Sequence, residues 1–139
     1  MSRKHDEHTG RLIKFVKDNF NISYMSLWAD YEGYNYCELE IAYINNETIK
    51  AYPDLRGIDE FSDPYVHIIG EAKSKGDYLT RNLEYKTQVD VYINVLKTKQ
   101  DPYLIYAVPT SISNEIRDYI NDRLNHYQAT NIKFNVLYQ

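Results

Sequence analysis

Tyr52-Pro53-Asp54-Leu55-Arg56-Gly57-Ile58-Asp59, a turn at Ser62-Asp63-Pro64, then Tyr65-Val66-His67-Ile68-Ile69-Gly70-Glu71-Ala72-Lys73: this stretch reads as strand, tight turn and strand. Residues i and i+2 of a strand share a face. Glu71 and Lys73 therefore project together at the end of an apolar run that should be buried. Unpaired buried charge is costly, so this pair needs a partner. A turn centred between Ser62 and Asp63 places Asp54 opposite Glu71, where facing Cβ atoms lie roughly 4.5–5.5 Å apart. Two carboxylates so close repel, and a divalent cation between them relieves the repulsion. The same register places Asp59 opposite Val66, on the other face. A bulge at Gly57 or a shifted turn would make Asp59 the alternative to Asp54.

Pro53-Asp54 followed by Glu71-Ala72-Lys73 resembles the signature of the PD-(D/E)XK nuclease superfamily, which includes restriction endonucleases, Holliday-junction resolvases and RecB-type nuclease domains. Gln88-Val89-Asp90-Val91-Tyr92 is similar to the Gln-x-x-x-Tyr pattern of the RecB-type members. The resemblance implies a restriction-endonuclease-like αβββαβ core and a metal-dependent deoxyribonuclease. It further implies a backbone carbonyl ligand at Ala72, a supporting glutamine at Gln88 and a tyrosine near the DNA path at Tyr92. Its members often carry a first-helix glutamate that reaches the metal. Glu7 is the candidate here, although it points away from the apolar stripe and also reads as a surface acid at a helix end.

The residues themselves suggest the chemistry. Asp54 and Glu71 offer hard oxygen ligands suited to Mg²⁺ or Mn²⁺, which activate water and polarise phosphate. Lys73 is placed to orient the attacking hydroxide or to stabilise developing charge. The resemblance implies that Gln88 holds the site in register. The rival reading is a non-catalytic nucleic-acid-binding or assembly module that retains the fold.

A chain of 139 residues with 43% hydrophobic content suits a single domain, residues 1–139, with one core. No segment has the length of apolar sequence that a membrane span requires. No apolar signal core follows Met1, so a cytoplasmic protein is expected. Cys37 is the only cysteine, so an intrachain disulfide is excluded, and it reads as a packed strand residue. The net charge is −4, but it is unevenly spread. Residues 1–20 carry +2, residues 21–69 carry −7, and residues 70–100 carry +2. The basic excess makes Lys14, Lys75, Arg81 and Lys86 candidate phosphate contacts. An acidic domain of this kind is expected to gain DNA affinity as a homodimer or within a larger nuclease or recombination complex. No phosphate-binding Gly-x-x-x-x-Gly-Lys loop is present, which argues against ATP use.

The remaining pattern predicts a helix over 6–20, with Leu12, Ile13, Val16 and Phe20 on one face. A strand pair is expected over 22–31 and 34–45, with Glu38 and Glu40 on one face of the second strand. A helix is predicted over 80–97, a strand over 102–109, a helix over 115–126 capped by Ser113 or Asn114, and a strand over 132–137. Strand–helix–strand units after Lys73 require a mixed central sheet flanked by helices, an α/β (α+β) architecture. His67 reads as a half-buried sheet histidine. His5 and His8, at i and i+3, read as a helix end or a metal pair.

Overall fold

A computed structural model describes residues 3–139, with side chains from residue 6 onward. The elements are α1 (Arg3–Asn19), β1 (Ser26–Ala29), β2 (Glu40–Ile44), β3 (Glu47–Ala51), β4 (Leu55–Asp59), β5 (Val66–Ala72), α2 (Lys75–Thr80), α3 (Asn82–Leu96), β6 (Asp101–Val108), α4 (Thr110–His126) and β7 (Lys133–Tyr138). Five strands form one mixed sheet in the order β1-β4-β5-β6-β7, and β2-β3 is a separate hairpin. Pairing is antiparallel from β1 to β5 and parallel from β5 to β7.

The parallel half follows from its sequence. Ile68, Ile69, Leu104, Ile105, Tyr106, Ala107 and Val108 are apolar and fully buried, the signature of strands covered on both faces. Under α1, Leu12, Ile13 and Val16 meet Leu55, Ile68, Ala72, Ile105 and Ala107. On the other face, Val89, Ile93 and Leu96 of α3 and Ile112, Ile116 and Ile120 of α4 close over Ile69, Leu104 and Tyr106. An ion pair ties α3 to α4, with Arg123 Nε and Nη2 donating to Asp90 Oδ1 and Oδ2 at 2.9 and 3.0 Å.

Gly70 allows α1 to lie close on the sheet. A Cβ there would sit 3.2 Å from Leu55 Cβ and 3.4 Å from both Leu12 Cδ atoms. Gly70→Ala is therefore expected to cost about 1–3 kcal/mol by overpacking. Urea unfolding checks this, with a lower midpoint at unchanged slope.

Several expectations are corrected. The segments 22–31 and 34–45 do not form a strand pair; one backbone bond, from Ala29 N to Asn35 O at 3.0 Å, spans the turn between them. Ile22–Tyr24 forms a single 3-10 turn, β1 pairs with β4, and residues 34–39 are irregular. The reason is local. Asn45 and Asn46 both take positive φ (51° and 66°) between the paired residues Ile44 and Glu47, a two-residue hairpin turn that asparagine tolerates. This turn commits β2 to β3, and β1 takes the free edge of β4. Cys37 is buried but lies in the irregular segment and not in a strand. Ser74 Oγ accepts from Asp77 N at 3.1 Å and caps α2, a short helix directly after Lys73. The last helix begins at Thr110. Ser113 is buried inside it, donating to Thr110 O at 2.8 Å, and does not cap it. No helix among the described residues is long and apolar enough to cross a membrane.

Candidate active site

The β4–β5 register is the one expected from the turn. Leu55 faces Gly70 and Asp59 faces Val66. Asp54, one residue before β4, continues the ladder by donating its N–H to Gly70 O at 3.1 Å. Its side chain turns to β5, where Oδ2 accepts from Ala72 N at 2.8 Å. Its carbonyl accepts from Asp30 N at 2.8 Å, just beyond the end of β1. The acid is thus fixed by three strands.

Glu71 is 3% exposed and lies against Asp54. Burial first, and the negative charge of Asp54 second, push its pKa well above the ordinary carboxylate value, and a hydrogen bond with Asp54 adds to this. Lys73 and Tyr92 act in the opposite direction. Tyr92 OH donates to Glu71 Oε1 at 2.6 Å, and Lys73 Nζ lies 3.7 Å from Glu71 Oε2. Lys73 itself is only 7% exposed. Two carboxyl groups, an ammonium and a phenol therefore converge at one end of the sheet, as the i, i+2 rule and the register required for the first three.

Two buried carboxyl groups in contact form a hard-oxygen donor set that fits Mg²⁺ or Mn²⁺. Mg²⁺ is usually held by one or two carboxylates, with water and substrate phosphate completing its shell. Among the described residues, no group of three or more His, Cys, Asp or Glu side chains is placed to hold a metal ion. Ala72, the expected carbonyl ligand, is fully buried, and its N–H is already engaged by Asp54.

The other candidates separate. Asp59 is held in the turn at the far end of the hairpin, where Oδ1 accepts from Phe61 N and Ser62 N at 2.9 and 3.2 Å. It is not part of the carboxylate pair, because no bulge at Gly57 shifts the register. Glu7 is exposed and lines a pocket with His8, Arg11 and Gln139. The His5 side chain lies outside the described residues. His8 contacts Arg11 through Nδ1. Glu38 is exposed, and Glu40 is taken by Arg56 at 3.1 Å. His67 is half-buried beside Arg56. Burial, then Arg56 and Lys99, lower its pKa to about 4, so it is neutral at physiological pH. Four strand residues, roughly 13 Å, separate it from Glu71.

Tyr92 corrects an expectation. It is fully buried and holds Glu71, so it does not line a nucleic-acid path. Its place on the apolar stripe of α3, one turn after Gln88, was the available signal. Gln88 is half-buried beside a pocket, with Oε1 sealed from water and lacking a hydrogen-bond partner. Lys75, Arg81, Lys86 and Lys14 are all exposed. Lys14 pairs with Asp18 at 2.7 Å, and Lys86 Nζ lies 5.5 Å from the centre of the Tyr119 ring. Lys14 and Lys86 sit on helices covering opposite faces of the sheet, so the four do not make one patch.

Asp30 was missed, because its strand was expected to pair with the wrong neighbour. Cys37 lies in the field of the same acids. Burial, then Asp54, Glu71, Asp30 and Glu40, push its thiol up to about 12, so it stays protonated.

Tyr92→Phe removes the phenol donor from Glu71 and leaves the packing intact. It is expected to weaken Mn²⁺ affinity by roughly 10–100-fold, measured by titrating the metal against thermal unfolding. No protein-family model matches this chain, and no curated protein or solved structure matches it either.

Proposed function

We propose that this chain is a metal-dependent nuclease that hydrolyses phosphodiester bonds in DNA. The observation that carries the reading is the buried Asp54–Glu71 carboxyl pair with Lys73 Nζ 3.7 Å from Glu71. A salt bridge serving stability alone does not call for two acids in contact, since burying a like-charged pair is costly. A bound Mg²⁺ or Mn²⁺ would supply an activated water and charge neutralisation at the phosphate. Asp54, oriented by the Ala72 N–H, and Glu71, oriented by Tyr92, would hold it, with the Ala72 carbonyl as main-chain donor. Lys73 presents a positive charge at the same end of the strand, where negative charge grows in the transition state.

The finer fold reading belongs to the same proposal. Three antiparallel strands, then a helical crossover into a parallel strand, with α1 on the opposite face, support a restriction-endonuclease-like core. Residues 21–69 carry −7, so the chain is proposed to borrow phosphate affinity from a second copy or from a larger recombination, restriction or mobile-element complex.

The test is cleavage of linear duplex, single-stranded and four-way-junction DNA with Mg²⁺, Mn²⁺ or EDTA, comparing wild type with Asp54→Asn. Metal-dependent cutting that is lost in the variant is expected. Equal cutting by both proteins would overturn the assignment. No cutting by a folded wild type that still binds DNA would favour the non-catalytic binding module.

A further inference from the structure

Tyr85 OH and Tyr106 OH are sealed from water and have no hydrogen-bond partner among the described residues. Both side chains are fully buried. The β5–β6 register sets Tyr106 against Glu71. Register partners on adjacent strands share a face of the sheet, with backbones about 4.8 Å apart. That face is the one α3 covers: Tyr92 of α3 reaches Glu71, and Tyr106 lies in the same core as Tyr85, Val89 and Tyr92. Burial first, and the charge of Glu71 second, push the Tyr106 phenol pKa well up, so its O–H remains a donor. The Tyr85 ring meets Tyr106 edge-on, 6.4 Å between centroids. Its phenol is raised by burial, then by Tyr78, Tyr119 and Glu115, so its surroundings are those of α2 and α4 and not of the carboxyl pair.

A phenylalanine would bury the same ring at position 106 without leaving a donor unpaired, and an unpaired buried hydroxyl is costly. We propose that Tyr106 is a second positioning residue for Glu71, donating its O–H to the carboxylate, directly or through one bridging water, when Glu71 serves as a metal ligand. The inference rests on the reading of the carboxyl pair as a metal site. A carboxylate has about four lone-pair sites, so Glu71 can accept from both Tyr92 and Tyr106 while it holds a metal. Hydrogen bonds of this kind orient ligating carboxylates and strengthen metal binding.

The test is thermal unfolding of the full chain, in EDTA and across a Mn²⁺ titration, for wild type, Tyr106→Phe and Tyr85→Phe. Each variant keeps its ring and loses only a hydroxyl. In EDTA both variants are expected to unfold roughly 3–5 °C above wild type, since each sheds an unpaired buried donor. Across the titration Tyr106→Phe is expected to bind Mn²⁺ about tenfold more weakly, and Tyr85→Phe as tightly as wild type. A merely structural phenol would not raise stability without metal and lower affinity with it. Wild-type Mn²⁺ affinity in Tyr106→Phe overturns the proposal, as does an equal loss of affinity in Tyr85→Phe. A Tyr106→Phe midpoint in EDTA no higher than that of wild type overturns it too, because the hydroxyl would then have a partner without metal. In each of those results the wild type still binds Mn²⁺ and the nuclease reading stands. A wild type that Mn²⁺ does not stabilise overturns both.

Discussion

Glu71→Gln is expected to lose cleavage by roughly a thousandfold and, at neutral pH without metal, to unfold at a higher temperature than the wild type. Both effects have one cause. In the wild type, burial and Asp54 hold the Glu71 pKa well above its ordinary value near 4.5. The folded chain therefore binds this proton more tightly than the unfolded chain does. The sign follows from linkage: stability is greatest below the unfolded pKa and declines as pH rises from there toward the raised folded value. A glutamine at this position removes that decline. Its Oε1 can still accept from Tyr92, and its amide can donate to Asp54 where the shared proton was. A gain of about 1 kcal/mol would raise the midpoint by roughly 3–5 °C for a chain of this size. Thermal unfolding followed from the ordinary carboxylate value near pH 4.5 upward checks it: the wild type should lose stability with rising pH more steeply than the variant. Mn²⁺ should restore the wild type and leave the variant unchanged. Stability gained where activity is lost is the usual mark of a functional site.

Lys73→Met is expected to reduce turnover by about 10²–10³-fold and to retain metal binding. The side chain is only 7% exposed, and methionine fills similar space without the charge. Lys73 also lowers the Glu71 pKa. Without it, Glu71 keeps its proton to higher pH, and the pH at which Mn²⁺ begins to stabilise the protein should move upward. Single-turnover cleavage separates the loss of rate from the loss of binding. Normal turnover in this variant would remove Lys73 from the chemistry.

The central hairpin was legible because its information is local. Turn residues at 62–64 set the register, and the period of two decided which side chains share a face. That reasoning placed Asp54 with Glu71 and Lys73, and set Asp59 opposite Val66. The helices expected over 80–97 and 115–126 and the strand expected over 102–109 were legible in kind from apolar periodicity and bounding prolines, although the last helix begins earlier, at Thr110. What could not be read was pairing between segments distant in sequence. Nothing near residues 26–29 announces β4 as a partner, so Asp30 was not connected to Asp54. The role of Tyr92 was misjudged for a related reason. A tyrosine four residues after Gln88 fits both a wet groove and a buried helix face. Only the position of Glu71 beneath α3 decides between them.

Calorimetric titration of Mn²⁺ into wild type and into Asp54→Asn, repeated in buffers of different ionisation enthalpy, tests the central claim most directly. The account predicts a saturable site in the wild type, with proton release to the buffer on binding that grows as the pH is lowered toward the ordinary carboxylate range, and loss of that site in Asp54→Asn. The same Mn²⁺ affinity and the same proton release in both proteins would contradict it.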